Sequence, residues 1–155
     1  MRDKERVLLQ EKKNYDRARE IFNELLKGKN PQYQQMPDLH CTDLRMYVGG
    51  TSYNIETKER STSIYTYNEC PIKVKKLINM RKDTKDGERL LYMALVTDGN
   101  YFIWDLDKID WCNTRLDNMR AKKQQYNIGG TYFIEEPYYF LPLDTAIRFG
   151  NKAEK

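Results

Sequence analysis

Apolar residues in the first 27 positions recur at a spacing near 3.6. Val7, Tyr15, Ala18, Ile21, Phe22 and Leu25 share one stripe, which predicts an amphipathic helix from Asp3 to about Lys27, ended by Gly28. One carboxylate, Glu11, falls on that stripe seven positions before Ala18, close to two full turns away. It either snorkels at the helix start or faces a site. After a polar loop around Gly28 to Pro37, residues Cys41 to Val48 alternate as a strand, Gly49-Gly50 supplies a turn, and Thr51 to Glu59 form the return strand. Ser61 to Tyr67 reads as a third strand or a loop rich in β-formers. Asn68 or Glu69 is placed to cap a helix beginning near Pro71, with Val74, Leu77, Ile78 and Arg81 on one side and Lys73, Lys75, Lys76 and Lys82 around the rest.

The polar stretch Lys82 to Gly87 ends that helix. Leu90 to Val96 is almost continuously apolar, the pattern of a strand covered on both faces. Asp98-Gly99 turns the chain into another strand, Tyr101 to Leu106. From Asp107 to Gly130 no period stands out. Tyr132 to Ile134 and Tyr138 to Leu141 read as late strands on either side of Pro137, and Asp144 to Phe149 as a last turn or edge piece. The order of elements predicts an α/β (α+β) domain with a central mixed sheet flanked by helices. A chain of 155 residues suits one domain, with a core at about 3–106 and an extension at about 107–155.

Composition narrows the chemistry. A net charge of +4 permits an anionic partner without demanding one. Apolar content of 39% with twelve tyrosines points to a folded chain, and neither a membrane-length apolar run nor a signal-peptide core is present, so a cytoplasmic location is expected. Cys41, Cys70 and Cys112 are odd in number and widely spaced, which argues against a disulfide framework or a zinc ribbon and for reduced, mostly buried thiols. His40 is the only histidine, so a histidine triad is unattractive and carboxylates and lysines must carry any catalysis.

The first hairpin offers such a set. With Gly49-Gly50 as a two-residue turn, opposed residues sum to 99, placing Asp43 across from Glu56. Lys58 repeats two residues later and points to the same face. Paired carboxylates repel unless a cation lies between them, and a hard ion such as Mg²⁺ (or Mn²⁺) accepts one or two carboxylates while leaving positions for water and phosphate. Lys58 would orient or deprotonate a water, or neutralise charge on a phosphate.

Thr42-Asp43-Leu44 followed by Asn54-Ile55-Glu56-Thr57-Lys58, between an amphipathic helix and a basic one, resembles the PD-(D/E)xK nuclease superfamily, which includes restriction enzymes and Holliday junction resolvases. The resemblance covers roughly residues 3 to 106. It implies that Asp43 and Glu56 bind metal, that the Thr57 backbone carbonyl adds a ligand, that Lys58 is catalytic, and that a carboxylate of the first helix joins them, Glu11 first and Glu20 second. The motif's proline is replaced by Thr42. A literal Pro-Asp stands at Pro37-Asp38, but in the same register Asp38 would pair with residue 61, far from Glu56. The expected function is therefore a metal-dependent nuclease, DNA more than RNA, with Lys73, Lys75, Lys76, Arg120, Lys122 and Lys123 meeting phosphates and a homodimer supplying a second cut. The alternatives are an inactive nucleic-acid-binding module of the same fold, a protein-interaction domain using aromatics around Tyr132 to Phe140, and a merely solvated hairpin face on which Asp43, Arg45, Glu56 and Lys58 make ordinary ion pairs.

Overall fold

A computed structural model describes residues 3–37, 42–125 and 130–152. The architecture is α+β: a mixed six-stranded sheet, a three-stranded sheet and two helices. Helix α1 is Asp3–Leu25, and the strands of the large sheet are β1 (Gln32–Gln35), β2 (Leu44–Val48), β3 (Thr51–Arg60), β5 (Arg89–Val96), β6 (Asn100–Asp105) and β9 (Arg148–Asn151), in the spatial order β1-β2-β3-β5-β6-β9. The small sheet has the order β4-β8-β7, from β4 (Glu69–Lys73), β7 (Arg115–Gln125) and β8 (Gly130–Pro142). Helix α2, Val74–Asp83, lies in the connection between β3 and β5, which are parallel; all other pairings are antiparallel. No helix among the described residues is long and apolar enough to cross a membrane.

Side-chain alternation on the central strand β5 organises the interior. Leu91, Met93 and Leu95 join Ala18, Ile21 and Phe22 of α1, while Leu90, Tyr92, Ala94 and Val96 join Leu77 and Met80 of α2 and Leu141 of β8. The continuous apolar run is therefore a strand with a core on each side. In α1 the apolar stripe packs only in its second half. Val7 is exposed, and Asn14 and Arg17 are the buried polar residues of the helix, with the Arg17 guanidinium donating to the Val96 carbonyl at 3.1 Å. The first half of the helix reaches the polar end of β3, where Gln10 donates to Glu59 at 2.8 Å.

Two expectations are corrected around prolines. The basic helix begins at Val74 rather than near Pro71, because 69–73 form β4, an edge strand that tolerates a residue without an N–H. Pro137 does not separate two strands but lies inside β8, opposite Asn118 and just beyond Tyr138, where the pairing with β4 stops. A missing donor is tolerated where one flank of the strand is open. Ser61 to Tyr67, expected as strand or loop, holds a 3-10 turn at Thr62–Tyr65, and the final piece pairs with β6 as β9. Cys70 is buried but Cys112 is exposed, and His40, Cys41 and Asp38 lie outside the described residues.

Candidate active site at the end of the first hairpin

The hairpin turn fixes the register of β2 and β3. Gly49 and Gly50 have φ of 59° and 78°, the left-handed pair that a tight hairpin turn needs. Val48 pairs with Thr51 and Leu44 with Ile55, so opposed residues sum to 99 as the sequence predicts. The ladder ends at Leu44. Asp43 directs its N–H to the Ile55 carbonyl at 3.0 Å, so two successive residues address one partner, as in a β-bulge. Asp43 is thereby turned off the position directly across from Glu56, and its Oδ2 accepts from both the backbone N–H and the Oγ1 hydroxyl of Thr57, each at 2.7 Å. Successive backbone groups on a strand alternate in direction, so the Thr57 carbonyl turns to the same edge as its N–H, beyond the end of β2.

Glu56 pairs with Tyr92 and Lys58 with Ala94 across the parallel ladder. Both therefore share the face of the sheet that α2 covers. Glu56 is only 8% exposed. A single partner compensates its charge: Lys76 of α2, whose Nζ lies 3.2 Å from Oε2, a contact that holds the charge without giving this sealed oxygen a well-directed hydrogen bond. Burial, then the charge of Asp43, push the Glu56 carboxyl up to about 8, with Lys76 acting in the opposite direction. The two carboxylates thus sense one another's charge. Lys58 is an exposed residue, yet partial loss of hydration, followed by the charge of Arg60, lowers its pKa below the usual lysine value.

Arg60 continues the row. Its guanidinium donates to the Pro71 carbonyl at 2.6 Å and to the Tyr92 hydroxyl at 2.9 Å, tying the end of β3 to β4. Burial keeps the Tyr92 phenol protonated well above the ordinary range. Arg45 makes its hydrogen bond to Asn54 at 2.8 Å rather than an ion pair with the acids. The solvated-face reading of the hairpin fails at Glu56, which is inside.

The remaining expected residues divide. Lys76, expected from the sequence to meet phosphates, is the Glu56 partner. The parallel pairing of β3 with β5 explains this, since a helix between parallel strands must lie over one face of both; that pairing was the signal in the sequence order. Lys73 is held by Glu136 at 2.9 Å, with the Tyr138 ring centroid 5.8 Å away. Lys75 is exposed. Lys73, Lys75 and Lys76 crowd the start of α2, whose first turn has no acidic residue, against the preference of a helix N-terminus for negative charge. Glu11 sits on α1, across the sheet from Glu56, and Glu20 is exposed on the same helix. Neither completes a cluster with Asp43 and Glu56: among the described residues no group of three acidic, cysteine or histidine side chains is placed to hold a metal. Arg120 is exposed on β7, engaged by a partner. Lys122 and Lys123 pair with Phe133 and Tyr132 in the β7–β8 ladder, and their side chains lie outside the described residues. Tyr138 and Tyr139 are half-buried, the latter against Trp111 with ring centroids 4.7 Å apart.

Two adjoining carboxylates, one with a buried oxygen that lacks a directed hydrogen bond, form a donor set suited to a hard cation that also takes a backbone carbonyl and water. No protein-family model matches the chain, and no curated protein shows significant sequence similarity to it.

Proposed function

We propose that the chain is a divalent-metal-dependent nuclease that hydrolyses phosphodiester bonds, with DNA as the favoured substrate. The observation that carries this reading is the buried Glu56 beside Asp43 at the open end of the hairpin, with Lys58 on the same face. Asp43, Glu56 and the Thr57 carbonyl would hold Mg²⁺ or Mn²⁺. When bound, such an ion supplies polarisation of the phosphoryl group and a water acidic enough to ionise near neutral pH. Glu56 must lose its proton for the site to accept a cation, and Lys76 favours that ionised state. Lys58, with its lowered pKa and no ion pair to a described residue, would carry a proton to or from the attacking water or neutralise charge on the phosphate. The lysines at the start of α2 favour an anion there, as a phosphate backbone provides. A homodimer would present two such sites for two strands.

The Lys76–Glu56 ion pair also favours a second reading, a nucleic-acid-binding module without metal or catalysis, because the buried charge already has a cation. One set of measurements separates the two. Plasmid, branched and single-stranded DNA are incubated with Mg²⁺ or Mn²⁺ and either the natural protein or its Asp43→Ala, Glu56→Gln and Lys58→Ala variants, with Mn²⁺ affinity followed by calorimetry. The nuclease reading expects cleavage that falls at least about 100-fold in each variant, with Mn²⁺ binding lost in the first two. Cleavage equal in all four proteins removes the assignment, and salt-dependent DNA binding without Mn²⁺ affinity establishes the second reading.

A further inference from the structure

The face of the large sheet turned away from Glu56 and Lys58 carries a feature that phosphodiester chemistry does not use. Between the C-terminal end of α1 and the strands beneath it lies an open groove of about 470 Å³, large enough to enclose several side chains of a visiting segment. Phe22, Met46, Leu91 and Ile103 reach it from the core on the α1 side of the sheet. Leu25 and Ile147 stand at its lips, each 38% exposed. Lys29, Lys108 and Arg148 are the charged residues of the lining, and no acidic side chain is part of it. None of the three cations makes an ion pair with a described residue.

Three cations above an apolar floor call for an occupant that is both apolar and anionic. Nucleic acid supplies charge, but its bases seek flat aromatic platforms, and this floor is mainly aliphatic. A second copy of the chain brings a net charge of +4 to a rim that is itself positive. An acidic amphipathic helix supplies both requirements, with apolar anchors at i and i+4 for the floor and carboxylates for the rim. We infer that this groove docks an acidic amphipathic segment of a partner protein. On β3, β5 and β6 its floor is set by the odd-numbered Tyr53, Leu91 and Ile103, whereas Glu56 and Lys58 project from the other face. A docked partner therefore leaves the candidate active site open, and the inference stands whether or not that site cleaves nucleic acid.

The test uses the full-length protein, isotopically labelled, followed by amide NMR. The probe is a synthetic helix-forming peptide with leucines at i and i+4 and glutamates between them; its lysine counterpart and a single-stranded oligonucleotide are titrated in parallel. The acidic peptide is expected to shift resonances of the groove residues. Its affinity should fall by at least about tenfold when Lys29→Glu, Lys108→Glu and Arg148→Glu are combined, and also with Ile147→Asp alone, while the melting temperature of each variant stays near that of the natural protein. Absence of groove shifts overturns the inference, as does equal binding of the lysine peptide. It is equally overturned if the oligonucleotide takes the groove residues, or if sedimentation shows a dimer that the substitutions dissociate.

Discussion

Replacing Glu56 by glutamine should stabilise the protein in alkaline solution and leave it nearly unchanged in acid. Glutamine mimics the protonated side chain in shape and in neutrality, so the difference between variant and natural protein isolates the ionisation of Glu56. In the folded state that ionisation moves from 4.5 to about 8, driven first by burial and then by Asp43. The folded pKa is the higher one. The stabilising contribution of the protonated carboxyl is therefore fully present below 4.5 and is lost as pH rises through about 8. At roughly 1.4 kcal/mol for each tenfold change, the full difference reaches about 5 kcal/mol above pH 8. This is a ceiling, since water entry or a rotamer change relaxes a buried charge. Even half of it is a large fraction of the usual stability of a domain. Urea denaturation of both proteins at intervals from pH 4 to 9 measures it. The stability gap should open between 4.5 and about 8 and then level off. Under the proposed function, Mn²⁺ at pH 8.5 should close the gap by stabilising the natural protein alone. A gap that is flat with pH, or a glutamine variant less stable at pH 9, would refute the reasoning.

Two further outcomes follow from the scaffold around the site. Gly50→Ala puts a side chain at φ of 78°, where an added Cβ meets nothing within 4 Å, so the cost is purely conformational, about 1–2 kcal/mol; an unchanged urea midpoint would show that the turn does not depend on this conformation. Tyr92→Phe removes the hydroxyl that accepts from Arg60 at 2.9 Å and should cost about 1–3 kcal/mol. If its stability matches that of the natural protein, the Arg60–Tyr92 contact does not help hold the end of β3 to β5.

Local chemistry was enough to read the hairpin. Two glycines set the turn, the turn set the register, and period-two alternation put Glu56 and Lys58 on one face, because each of these depends on neighbours within a few residues. The continuous apolar run of Leu90 to Val96 likewise announced a strand with two covered faces. Pro71 misled, because a proline suits the first turn of a helix and an edge strand equally well, and only the strand it meets decides between them. The position of Asp43 was legible to within one residue. The bulge at Asp43 and its two bonds from Thr57 were not, since the bulge arises where β2 ends and β3 runs on.

The sequence by itself determined the register of the hairpin, the residue types available for catalysis and the class of fold. Only the tertiary structure decided that Glu56 is buried, that Lys76 rather than a solvated neighbour compensates it, and that Glu11 lies across the sheet. Those facts depend on which face of the sheet each helix covers. That choice is made by the summed packing of two cores against β5, in which no single stretch of sequence holds more than a small share.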